Sequence, residues 1–149
     1  MPARELGAVV VGGLLGTGAR LTIDLLVPDP RGGFPASTLV VNVVGAFALG
    51  MLVSRVWPVA PAWVRAGLGA GLLGSFTTFS ALAVSMVVLT EGGAGMLAVA
   101  YLVTSAVLGF GGAWVGLSLG RRARGRPPAG GGPTHSNPLR GPTSSLADE

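Results

Sequence analysis

The chain has no cysteine, no lysine and a single histidine, His135, set in a Pro/Gly/Ser-rich stretch near the C-terminal end. Without cysteine there can be no disulfide framework, thiolate metal site, iron–sulfur cluster or cysteine nucleophile. With one histidine so placed, a His-based metal or acid–base site is nearly excluded. Charge is scarce too: 11% of the 149 residues are charged, against about 25% in a typical globular chain. Half of the residues are hydrophobic and the mean hydropathy is +0.67. The missing charge must therefore face something other than water, and the bilayer is that solvent. An enzyme here would have to work almost without titratable groups. The ten basic residues are all Arg and give a net charge of +4 and a pI near 11.4. Arg121, Arg122, Arg124 and Arg126 form a run directly after a long apolar segment, where membrane proteins keep cytoplasmic positive charge. No aromatics interleave with them and no reading module is present, so nucleic acid is not an expected partner.

A helix needs about 20 apolar residues to cross the hydrocarbon core. Four stretches approach or exceed that length: 6–27, 36–53, 66–89 and 94–119. The connectors VPDPRGGFP, WPVAP and TEGG carry proline and glycine breakers. The first stretch is not expected to be a cleaved signal peptide, because Arg20 and Asp24 interrupt its far end. The fold class is thus an all-α integral membrane protein with a transmembrane domain over 1–119. Residues 120–149, rich in Pro, Gly and Arg, are expected to be a disordered tail. Arg4, Arg55, Arg65, the Arg run and Arg140 fall on one side, and Arg31 on the other with Arg20 near the boundary. That bias places both termini in the cytoplasm of a multi-pass plasma-membrane protein.

Polar side chains at membrane depth are the leads to function, because each costs free energy unless partnered or hydrated. Arg20 and Asp24 lie four apart, as an intrahelical ion pair or as part of an anion-attracting vestibule. Thr38 and Asn42 stack on one face of the second helix, as interhelical glue or as hydroxyl and amide donors to a desolvated anion. In GLLGSFTTFSAL, Gly71, Gly74 and Ser75 precede Thr77, Thr78 and Ser80. Such a run reads either as a kinked helix whose hydroxyls bond back to its own carbonyls or as a break. A break frees carbonyl oxygens for a hard cation such as Na⁺ and supplies half-helix dipoles. Tyr101 and Ser105 again lie four apart, with Thr104 beside them and Gly109 a turn on, as an ion track or as helix–helix hydrogen bonding. Gly12/Gly16, Gly67/Gly71 and Gly112/Gly116 are spaced for close helix approach.

The combination of GGLLGTGAR at 12–20, STLVVNVVGAFALG at 37–50 and GLLGSFTTFSAL at 71–82 resembles the CrcB (Fluc) family of fluoride channels, and the resemblance extends over all four helices. It implies an antiparallel dimer with two narrow fluoride pathways, a third helix broken near its middle and a structural, non-transported Na⁺ at the dimer centre. By motif match the backbone carbonyls of Gly74 and Thr77 would ligate that ion. Asn42 would be the anion-contacting carboxamide, with Thr38 and Thr78 on the same pathway. Phe79 would be the first pore phenylalanine, whose electropositive ring edge faces the anion. Tyr101 and Ser105 would form the fourth-helix track, and Arg20 the vestibule.

One departure stands out. Where the family commonly reads Phe-Ser-Thr-Phe, this chain has Phe79, Ser80, Ala81 and Leu82, so the second pore ring is missing. A second conflict is topological: an antiparallel homodimer needs a chain that inserts both ways, and this one is strongly Arg-biased. The expected partner is therefore a homologous subunit of opposite topology. The function that follows is passive fluoride export, which lowers cytoplasmic fluoride and protects against its toxicity. The rivals are a four-helix proton-coupled drug exporter, which wants a mid-membrane carboxylate that this chain lacks, and a non-conducting membrane assembly protein.

Overall fold

In the computed structural model the described residues are 2–28 and 33–123. They form four helices long and apolar enough to cross a membrane, Ala3–Leu26, Ala36–Val56, Ala62–Glu91 and Gly95–Ala123, called here the first to fourth spans. No strand occurs among the described residues. The fourth span runs past residue 119 through Arg121 and Arg122, so the apolar stretch ends before its helix does. The tail expected over 120–149 lies, from residue 124 on, outside the described residues, as do Arg31 and His135.

Local chemistry explains the boundaries. Pro2, Pro35 and Pro61 each precede the first helical residue of a span; the fixed φ of proline suits helix entry and its missing N–H is not needed there. The turn between the third and fourth spans is closed by Gly93, at φ 78°, a conformation that favours glycine. Gly93 N–H donates to the Thr90 carbonyl at 3.0 Å and Ala94 N–H to the Leu89 carbonyl at 2.8 Å. This paired closure satisfies carbonyls that the helix end would otherwise orphan. Two stretches widen into π-helix, Leu52–Val56 and the Ala/Gly-rich Ala66–Leu73.

The spans pack mainly as two pairs, the first against the N-terminal half of the third, and the second against the fourth. Glycine sets both contacts. A Cβ on Gly16 would overlap the Leu72 carbonyl oxygen, and one on Gly116 would overlap that of Phe47. Between helices in lipid, where no hydrophobic force draws them together, such backbone-to-backbone approach provides the dispersion contact. The C-terminal half of the third span lies against the fourth. There Leu89, Ala98 and Tyr101 form the buried core, with Phe34, Leu39 and Leu82 around it. Most other large apolar side chains, Leu14, Leu25, Phe110 and Trp114 among them, point outward, the reverse of a water-soluble bundle and what a lipid surround requires.

Arg4 stacks over Trp63 at 4.5 Å, and a Cβ on Gly120 would overlap the Ser54 hydroxyl. The start of the first span, the 57–61 connector and the end of the fourth span therefore share one end of the bundle. Exposed Arg4, Arg55, Arg65, Arg121 and Arg122 gather at that end.

Candidate functional site

Within the third span, the backbone at Thr77 (φ −84°, ψ 155°) and Thr78 (φ −151°, ψ 128°) is extended between helical Gly74–Phe76 and Phe79–Glu91. Thr77 still closes the upstream turn: its N–H donates to the Leu73 carbonyl at 3.0 Å and its hydroxyl to the same oxygen at 2.9 Å. Beyond it, no backbone hydrogen bond runs from Thr78, Phe79 or Ser80 back to the carbonyls of Gly74, Ser75 or Phe76.

Asn42, from the second span, meets this point. Its Nδ2 donates to the Thr78 carbonyl at 3.0 Å, and its Oδ1 accepts from the Thr78 N–H at 2.9 Å. One turn on, Gly45 leaves room for Thr77, whose Cγ2 methyl occupies the place a Cβ would take. The downstream half-helix starts with its own cap, since Thr78 Oγ1 accepts from the Ala81 N–H at 3.3 Å and pairs with Ser80 Oγ at 2.8 Å. Substituting Thr78 by Val removes that cap while keeping the shape. Thermal unfolding in detergent should show a loss of about 1 kcal/mol, and Thr78→Ser should retain most of it.

These groups line an open groove of about 390 Å³. Asn42, Gly74, Thr77, Thr78, Phe79 and Leu82 all face it, and none of its lining residues is titratable. Phe79 stands at the groove with 80% of its surface exposed. The groove therefore offers amide, hydroxyl, carbonyl and aromatic groups without a single fixed charge. Leu82 also packs against the Tyr101 core, so this residue joins groove and core.

The other candidate residues sit apart from the groove. Tyr101 is completely buried, its ring set edge-on to Phe34 at 5.4 Å and 89°. Ser105, one turn further on, has a buried Oγ with no hydrogen-bond partner among the described residues. Thr38 is buried one turn before Asn42. Arg20 is bonded to Asp24, Nε to Oδ2 at 3.4 Å, and its buried Nη1 has no partner among the described residues. The pairing of Asn42 with a backbone amide was not foreseen from sequence, nor was Gly45's part in seating Thr77. The only signal was the glycine three residues after Asn42, on the same helix face.

A family model described as "CrcB-like protein, Camphor Resistance (CrcB)" matches residues 7–117. The chain is 41% identical over 124 residues to "Fluoride-specific ion channel FluC 3" of Streptomyces avermitilis, a match spanning 81% of this chain and 60% of that one. It is 42% identical over 124 residues to "Fluoride-specific ion channel FluC 1" of Mycobacterium tuberculosis, spanning 81% of this chain and 93% of that one. With "Fluoride-specific ion channel FluC" of Rhodospirillum centenum it shares 42% over 120 residues, 78% of this chain and 94% of that one.

Proposed function

The chain belongs to the CrcB family, and from that footing we propose that it is a channel subunit that passes fluoride through the membrane, lowering fluoride in the cytoplasm. The observation that carries this reading is the uncharged groove built by Asn42, Thr78 and Phe79 at the interruption of the third span. Fluoride is small and strongly hydrated. A path for it must replace water with N–H, O–H and ring-edge C–H donors, each weak enough to let it go. The Thr78 hydroxyl and the Phe79 ring edge supply such donors beside the Asn42 carboxamide, with Thr38, Tyr101 and Ser105 extending the path along the second and fourth spans. Arg20 draws anions toward the mouth. A negative interior then drives the anion outward, with about 2.3 kcal/mol per charge at about 100 mV.

Proton coupling needs a carboxylate at mid-depth. Among the described residues Glu5 and Glu91 lie at helix ends, and Asp24, in the last turns of the first span, is bonded to Arg20. That disfavours the exporter reading. Non-conducting assembly accounts for the glycine contacts and leaves the groove without a purpose.

The Gly74 and Thr77 carbonyls belong to an interruption that supplies no backbone donors to close it, and uncharged carbonyl oxygens suit a hard monovalent cation. In this reading they hold a structural Na⁺ with their counterparts in a second, antiparallel subunit. The Arg-rich end faces the cytoplasm, with both termini. So strong a bias disfavours dual insertion, so the companion is a homologous chain of opposite charge bias and inverted topology.

The test is fluoride efflux from liposomes holding this chain alone or with such a companion, at controlled Na⁺. Efflux in the mixed preparation and little with the chain alone is expected. Full conduction by the single purified species contradicts the hetero-assembly, and none in either preparation contradicts the channel. Ser105→Ala should leave the unfolding temperature unchanged, since its Oγ has no partner to lose among the described residues, and should slow efflux roughly tenfold, as expected for one lost hydroxyl donor to a charged group.

A further inference from the structure

A primary carboxamide has two N–H donors and one oxygen acceptor. In Asn42 the oxygen and one N–H are both committed to the backbone of a single residue, Thr78. Such a pairing demands a particular backbone. In an extended residue the N–H and C=O project to the same side, as in a strand that pairs with its neighbour. In a helical residue they point in opposite directions along the axis. Thr78, at φ −151° and ψ 128°, is extended, so one carboxamide can satisfy both groups. Were residue 78 helical, its N–H would instead donate to the carbonyl of Gly74, four residues back. Taking that N–H leaves the Gly74 carbonyl without its ordinary donor.

We infer that Asn42 is a positioning residue: its carboxamide selects the broken form of the third span and keeps the Gly74 carbonyl open. It acts on conduction through Thr78 and Gly74 rather than chiefly as the group that touches the anion. The inference rests on the fluoride-channel reading for its flux readout, but the pair itself exists independently of any ion. It also explains the residue type. Leucine has the right size and neither hydrogen bond; aspartate keeps the acceptor and, when ionised, has no donor for the Thr78 carbonyl. A protonated carboxyl has one donor and one acceptor, enough to remake both bonds, and it lacks the second N–H that a direct anion contact would use. No groove-lining residue titrates, so a pH response of this variant reports the introduced carboxyl.

The experiment compares wild type, Asn42→Asp and Asn42→Leu at about pH 8 and about pH 5.5, a window that spans ionised and protonated carboxyls in nonpolar sites. Fluoride efflux is measured against protein-free liposomes at each pH, and the unfolding temperature in detergent is measured in parallel. Asn42→Asp should be slowed about a hundredfold at the higher pH and return to within about tenfold of wild type at the lower, its unfolding temperature rising alongside. Asn42→Leu should be slow at both. If Asn42→Leu fails to fold, the Asn42→Asp profile decides alone. An Asn42→Asp variant that folds but is equally slow at both pH values overturns the inference, because the missing second N–H is then what conduction needs. So does Asn42→Leu conducting like wild type. If wild type does not conduct, the channel reading falls, and the inference is decided by whether acid restores the unfolding temperature of Asn42→Asp.

Discussion

Gly116→Val is expected to abolish the folded bundle. A side chain at this position has nowhere to go, because its Cβ would overlap the Phe47 carbonyl oxygen and approach the Met51 backbone nitrogen at 3.0 Å. The neighbours are helix backbone, which cannot swing aside as a flexible side chain can. The second and fourth spans would have to separate along their main contact, losing the neighbouring close approach of Gly50 to Ala113 as well. Overpacking a well-fitted interior costs roughly 1–3 kcal/mol even where side chains can yield, and here the cost should exceed about 3 kcal/mol, a large share of a typical protein's margin. The yield of monodisperse protein in detergent should collapse. Gly18→Ala is the control: nothing lies within 4 Å of a Cβ there, and stability should stay within about 1 kcal/mol of wild type. Normal yield from Gly116→Val would mean that the helix contact is looser than the geometry requires.

Phe79→Leu is expected to cut fluoride efflux roughly thirtyfold with almost no change in stability, the equivalent of about 2 kcal/mol for a desolvated ion against a ring. The two readouts separate because Phe79 is 80% exposed within the chain, so the fold loses little apolar burial. What disappears is the electropositive ring edge that the proposed pathway would offer to an anion, and leucine has no counterpart to it. Phe79→Tyr, which keeps the ring, should retain most of the efflux. The same reasoning marks Leu82. An aliphatic side chain has no ring edge to offer, so Phe79 is the one aromatic among the described residues lining the groove. Equal efflux in Phe79→Leu and wild type would remove the aromatic edge from the account.

The parts of this molecule legible in its sequence are those governed by terms that add along the chain. Transfer of apolar side chains into lipid accumulates residue by residue, so the four spans were readable from length and hydropathy alone, to within a few residues at each end. The pairs Gly12/Gly16 and Gly67/Gly71 signalled close approach, and between the first and third spans the structure sets Gly12 against Gly67 and Gly71, and Gly16 against Leu72. The π-helical turns at Ala66–Leu73 carry no such signature in composition or spacing. The partner of Asn42 was equally hidden. A mid-membrane amide announces that it must bond to something, but which backbone it meets depends on how the second span lies beside the third. Arg20 could be read as an ion pair or as a vestibule. The structure contains the ion pair, with Arg20 Nε 3.4 Å from Asp24 Oδ2.

The central claim is that fluoride passes this protein down its electrical gradient through uncharged donors, without protons. The most direct measurement is anion efflux from liposomes containing the assembled protein, loaded with fluoride or with chloride, with the membrane potential set by a potassium gradient and valinomycin. The account predicts fluoride efflux that follows the imposed potential, persists without a pH gradient and is not shared by chloride. Chloride leaving at a comparable rate, or fluoride leaving only when a proton gradient is present, would contradict it.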